Sequence, residues 1–185
     1  INVGYSSRAP NLDYGAFMNA STSNAVNVEA KNEQVASAEI GYGFHNEYVN
    51  VAVNGYFTEW MDKTMTKSGT LGDDQKEFFM NMTGVNARHM GLEFEVKARP
   101  TKWLEVNAML SLGSWKWDSD SVVGYAYDGQ GQALAVDPAT KMTYITEPGA
   151  ADHQYAIINM KGINVGGSAQ TTANLGVTFK PFKGF

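Results

Sequence analysis

The sequence predicts an all-β chain, an antiparallel transmembrane β-barrel segment with about six spanning strands of a larger barrel. Three observations predict it: strict apolar/polar alternation in several runs, runs close to the roughly 9–11 residues a tilted strand needs to cross a bilayer, and connections that alternate long and short. The clearest run is His89 to Gly113, where Met90, Leu92, Phe94, Val96 and Ala98 share one parity and Glu93, Glu95, Lys97 and Arg99 the other. After Pro100 the pattern restarts with Leu104, Val106, Ala108, Leu110 and Leu112 against Glu105, Asn107 and Ser111. Successive strand side chains point to opposite faces, so this is a hairpin with one apolar face.

Composition narrows the class. The chain of 185 residues has 19 Gly, only 5 Pro and 12% aromatic residues, which suits strands joined by turns. It has no Cys, which excludes a disulfide framework and thiolate metal sites, and its net charge of -5 gives no basic surface for nucleic acid. No apolar run approaches the ~18 residues of a spanning helix, and barrel strands, which alternate, do not need one. The chain starts in strand-like sequence at Ile1 and stops just after a turn at Phe185, so all of 1–185 is expected to be an internal piece of one barrel domain.

The elements follow in order. Ile1 to Ser6 reads as the end of a strand, and the polar stretch from Arg8 to about Glu33 as a long surface loop. Gln34 to Phe44 alternates, with Glu39 on its polar parity, and His45 to Glu47 is a short turn. Tyr48 to Trp60 sets Val49, Val51, Val53 and Phe57 against Asn50, Asn54 and Thr58. Met61 to Arg88 is expected to be a second long polar loop, with Phe78 to Met82 packed beneath it. Trp115 to Gly167 is the longest connection; Asp128-Gly129 and Asp137-Pro138 are its turn signals, and Val122 to Tyr127, Leu134 to Val136, Met142 to Ile145 and Tyr155 to Met160 its candidate short strands. Ser168 to Lys180 closes the pattern, and Pro181 to Gly184 reads as a turn. Short turns near His45, Thr101 and Phe182 would face the periplasm and the long connections the exterior. Six strands leave two open edges, which lipid penalises, so further strands are expected.

Several segments resemble the TonB-dependent outer-membrane receptors. Ser7-Arg8-Ala9-Pro10 resembles the family's FRAP segment, Ala30-Lys31-Asn32-Glu33 its LKPE (with Asn32 in place of Pro), Glu39-Ile40-Gly41 its E-L-G and Gly91-Leu92-Glu93 its G-x-E. Leu110 to Trp117 and Val165 to Thr172 are most similar to members from the Bacteroidetes. The resemblance implies a barrel of 22 strands enclosing a plug, neither plug nor TonB box lying in this chain. It implies uptake of a scarce nutrient, such as an iron chelate, cobalamin or an oligosaccharide, driven through TonB. It implies no catalysis and no cofactor.

The chemistry-bearing residues then sort by face. Glu39, Asn50, Asn54, Glu93, Glu95, Lys97, Glu105 and Asn107 are expected to face lumen and plug, with outer-membrane lipid on the other side. Glu93 and Glu95 as a hydrolytic acid/base pair is the weaker reading, because a barrel interior is polar anyway. His45, His89 and His153 have no ligand spacing, and Asp73, Asp74, Asp118 and Asp120 form no complete calcium loop, so no metal is expected. Trp115, Trp117, Tyr125 and Tyr127 are the candidate external ligand contacts, placed where a ligand would arrive; interface girdles are the structural alternative. A soluble all-β binding domain and a passive outer-membrane channel remain the competing assignments.

Overall fold

The computed structural model describes residues 1–17 and 25–182, without the side chains of Asp13 and Tyr14. The chain is all-β with antiparallel sheets. The strands are β1 (Asn2–Arg8), β2 (Glu33–His45), β3 (Val49–Leu71), β4 (Lys76–Thr101), β5 (Leu104–Trp117), β6 (Val122–Tyr125), β7 (Ala133–Val136), β8 (Thr143–Thr146), β9 (Tyr155–Ile158) and β10 (Thr171–Phe179). Six form one sheet in the order β1-β2-β3-β4-β5-β10, while β6-β9 and β7-β8 are separate ribbons.

Register decides what each face carries. One row across the sheet is Tyr42, Val53, Phe94, Leu110 and Ala173, and the next is Phe44, Val51, Val96, Ala108 and Leu175. On the opposite face the rows read Gly41, Asn54, Glu93, Ser111 and Thr172, then His45, Asn50, Lys97, Asn107 and Gly176. Alternation in each strand thus adds up to an apolar face and a polar face. Nothing among the described residues covers the apolar face: Ile40 is 64% exposed, Leu92 47% and Leu175 72%. Its upper limit is a charged row of Glu59, Arg88 and Lys116, and at its lower limit Trp103 meets Phe179 edge to face at 5.4 Å.

Above that row the structure departs from the sequence expectation. Met61 to Arg88 is a continuation of the β3–β4 hairpin with a tight tip at Gly72 to Gln75, rather than a long loop. Two bulges hid it. Pairing runs Trp60 with Ala87, Lys63 with Val85 and Met65 with Met82, so β3 gains a residue at Asp62 and β4 gains one at Gly84. Both extra residues take left-handed backbone, with φ of 55° and 80°. The Asp62 N–H is satisfied by Asn86 Oδ1 at 3.0 Å. Each strand therefore changes phase, and alternation read at a fixed parity breaks at that point.

The phase change moves the core to the other side. Phe78, Met80, Met82 and Val85 continue the polar face upward but are buried. Phe78 and Met80 pack with Ala126 and Leu134, and Met82 and Val85 with Val122, Met160 and Trp117. Phe78 to Met82 is thus buried, as the sequence suggests. The hairpin above the bulges, with β6 to β9 laid on it, forms an arm with its own core, about 27 Å along the nine residues of β3 from Lys63 to Leu71. Gly124 lets β6 approach that closely, since a Cβ there would lie 2.6 Å from Met82 Cγ.

The four short strands fall within or beside the segments expected for them, and Asp128 and Asp137 act as turn residues. Asp128 Oδ1 accepts the Gln130 and Gln132 N–H groups at 2.9 Å, and Asp137 Oδ1 those of Ala139 and Thr140 at 2.7 and 3.1 Å. Between β1 and β2 a single π-helical turn spans Leu12–Ala16, and Phe17 bridges Val26. The rest of that expected loop, 18–24, lies outside the described residues, as do 183 and 184 of the expected final turn.

Two exposed carboxylates tie the β7–β8 ribbon to solution acidity. The Thr140 and Ala139 N–H groups hold the Asp137 carboxyl below the usual range, and the Tyr144 and Thr146 hydroxyls do the same for Asp152. A folded pKa depressed below the unfolded one stabilises above the unfolded value and is lost as pH falls through the folded one. Amide exchange in β7 and β8, corrected for intrinsic rate, is therefore expected to accelerate as pH drops below about 4, and Asp137→Asn to remove part of that dependence.

Candidate functional site

The polar face is concave where β1 to β5 meet the base of the arm. A cavity of about 590 Å³ there is lined by Asn2, Glu39, Gly41, Asn54, Tyr56, His89, Glu93 and Trp115, with Ile1, Ile40 and Gly55. That volume falls within the range of small-molecule sites.

Register brings these side chains together from strands far apart in sequence. Glu39, Tyr56, Gly91 and Gly113 form one row, and Thr58, His89 and Trp115 the row above it. The glycines open space for the rings. A Cβ on Gly91 would meet Tyr56 Oη at 2.6 Å, so the Tyr56 ring lies over Gly91; one on Gly113 would sit 3.0 Å from Trp115 Nε1. Trp115 Nε1 donates to Tyr56 Oη at 2.9 Å, which fixes both rings. His89 stands between Trp115 and Trp60, with ring centroids 5.6 and 6.1 Å away, and Lys63 Nζ caps Trp60 at 5.1 Å. A Cβ at Gly91 would also lie 2.6 Å from the Leu112 carbonyl oxygen, so Gly91→Ala is expected to push the flexible Tyr56 ring aside, shift β4 against β5 and break the Tyr56–Trp115 hydrogen bond; a shift in Trp emission of the intact protein, smaller when Gly91→Ala is added to Tyr56→Phe, checks the Tyr56 part.

The polar groups beneath the rings are left free for other partners. Among the described residues Glu39, Glu93 and Glu95 make no ion pair, whereas Lys97 and Arg99 both engage Glu105, at 3.1 and 2.6 Å. The upper part of the face is acceptor-rich, and the lower part is internally neutralised. Asn54 Oδ1 lies over Gly41, where a Cβ would come within 2.4 Å of it.

The residues singled out from sequence are divided by the structure. Glu39, Asn50, Asn54, Glu93, Glu95, Lys97 and Asn107 share the polar face by register, and Glu105 joins them through its ion pairs. Of the four candidate ligand aromatics only Trp115 lines the cavity. Trp115 and Trp117 stand on β5 rather than in a loop, and Trp117 packs against the arm core. Tyr125 and Tyr127 flank His153, at 4.9 and 5.1 Å between ring centroids. His153 is 2% exposed; its Nδ1 accepts the Gly149 N–H at 3.1 Å, which leaves Nε2–H to donate to Ala126 O at 2.9 Å. That pair of tyrosines thus packs a structural histidine.

The acidic loop residues do not converge either. Asp118 pairs with Arg88 at 2.7 Å, Asp120 with Lys161 at 2.9 Å, and Asp74 bonds the Thr143 hydroxyl. No group of three metal-ligating side chains occurs among the described residues. Tyr56, His89 and Asn2 belong to the cavity but carry no local signal; only the pairing register reveals them. Compared with known proteins, the chain matches no family model, no curated protein and no solved structure.

Proposed function

We propose that this chain is part of the wall of an outer-membrane β-barrel, and that the barrel is a TonB-dependent receptor for a scarce nutrient. The observation that carries the membrane reading is the uncovered apolar face backed by a polar one. Val49 to Phe57 on β3 is nine residues, about 27 Å along the strand; at a roughly 40° tilt this is about 20 Å of depth, close to the ~25 Å apolar band of such barrels. Charged side chains begin where the band ends, at Glu59, Arg88 and Lys116. A soluble sandwich requires a second layer over that face, and the side chains there stay exposed.

In this reading the edges β1 and β10 continue into further strands, the apolar face meets lipid, and the polar face meets the lumen and the protein's own plug. The tight turns at Asn46 to Tyr48 and Lys102-Trp103 lie on the periplasmic side and the arm outside. The receptor reading within that class is supported by the motif resemblance at Arg8, Glu39 and Gly91 to Glu93. Transport energy would come through TonB, and no catalytic step belongs to this wall.

Fractionated cells probed with an antibody against the Met61 to Arg88 hairpin test the assignment. A band in the outer membrane several-fold heavier than 20.2 kDa is expected. A soluble band near 20.2 kDa would overturn it.

A further inference from the structure

We infer that the apolar face carries a site for one lipid with a phosphoethanolamine headgroup, a reading that rests on the proposed membrane position and names the lipid this face selects. The site starts from a missing side chain. In the row of Ile40, Gly55, Leu92 and Leu112, Gly55 leaves a dent between its neighbours, since a Cβ there would lie 3.3 Å from Leu92 Cδ2 and 3.7 Å from Ile40 Cγ2. The dent belongs to a cavity of about 600 Å³ that continues upward past Phe57, Met90 and Ser114, the next row. The side chains of this face that line it are apolar apart from the Ser114 hydroxyl, which suits an acyl chain. Lipid surrounds such a face everywhere, so preference for one molecule comes from close packing and from the headgroup.

The charges above the groove decide that headgroup. Glu59, Arg88 and Lys116 form the row two above Gly55, about 13 Å higher along β3. Arg88 is already matched by Asp118 at 2.7 Å, whereas Glu59 and Lys116 make no ion pair among the described residues. The row thus offers one unmatched anion and one unmatched cation, two strand spacings or about 10 Å apart at the backbone.

A phosphate joined to a primary ammonium answers both. Lys116 Nζ donates to the phosphate oxygens, and the ammonium N–H groups donate to the Glu59 carboxylate. Ser114 lies between groove and row, where its hydroxyl can donate to an ester carbonyl of the same lipid. A choline headgroup has no N–H to give Glu59, and a glycerol headgroup has no cation for it, so both leave that carboxylate unmatched.

The test offers the intact protein in detergent micelles an equimolar mixture of phosphatidylethanolamine, phosphatidylcholine and phosphatidylglycerol with identical acyl chains. Native mass spectrometry counts what is retained. One phosphatidylethanolamine per protein is expected, favoured at least about five-fold over either competitor. Glu59→Gln is expected to bring ethanolamine and choline lipids within about two-fold of each other, and Lys116→Gln to lower retention of phosphatidylethanolamine several-fold. Gly55→Leu, which fills the dent, is expected to lower retention of all three lipids. Equal retention of the three headgroups, or preference for phosphatidylglycerol, overturns the inference, as does an unchanged pattern in Glu59→Gln and Lys116→Gln or in Gly55→Leu. Outer-membrane location of the same protein is scored in parallel. Correct location without headgroup preference removes only the lipid assignment, whereas a soluble protein removes the membrane reading with it.

Discussion

Phe94→Arg is expected to cost about 2–4 kcal/mol of folded stability in a bilayer, because Phe94 sits in the central row of the apolar band. The row runs Tyr42, Val53, Phe94, Leu110 and Ala173, below Arg88, Met90 and Leu92 on the same face of β4. A guanidinium there has neither a polar neighbour on its face nor water within reach. Val51→Arg, one row lower, is expected to fall in the same range of about 2–4 kcal/mol. Asn54→Arg tests the opposite face beside the same row, and its side chain points to the polar side, where a cation meets Glu93 across the strand pair. The measurement is urea unfolding of the intact protein refolded into liposomes, with the fraction reaching the outer membrane as a second readout. Equal losses for Phe94→Arg and Asn54→Arg would show that neither face meets lipid.

Leu134→Ala is the second large effect, and it belongs to the arm. Leu134 is 1% exposed and packs with Phe78, Met80 and Ala126. Its backbone is also pinned, by Leu134 N to Ala126 O at 3.0 Å and Gln154 N to Leu134 O at 2.9 Å, so the surroundings cannot close over the missing volume. Truncating a buried leucine in such a setting costs about 2–5 kcal/mol. The loss is expected to appear as rapid cleavage within 118–162 by external protease, while the amount of protein in the membrane stays unchanged. A matching loss from the membrane would mean that arm and sheet fold as one cooperative unit.

Part of the fold was legible because half of it answers to a single rule. In β2, β3, β4, β5 and β10 below the bulges the apolar side chains all lie on one face of the sheet, so alternation survives unbroken and the strands can be read from parity alone. The arm obeys a different rule. Above Asp62 and Gly84 the same strands turn their other parity inward, and Thr64, Thr66, Lys67 and Ser68 on β3 dilute the apolar signal, so a paired hairpin reads as polar loop. What remained readable there was local: the apolar Phe78 to Met82, and the turn residues Asp128 and Asp137. The cavity was legible only in fragments. Trp115, Glu39 and Glu93 are visible as an aromatic residue and two acidic residues on the polar parity, but Tyr56 and His89 join them only through cross-strand pairing, Tyr56 with Glu39 and His89 with Trp115. Tyr125 and Tyr127 show the same, since their contact with His153 has no local signal in the sequence either.

The paired extra residues at Asp62 and Gly84 also separate two sets of constraints within one hairpin. Because both strands reset together, substitutions above them answer to the arm's interior and those below to the sheet's surroundings, with no shared alternation to preserve. Length and sequence changes in the outer half therefore leave the alternation of the lower half untouched. Divergence among related chains should therefore change abruptly across that level rather than fade gradually along the strands.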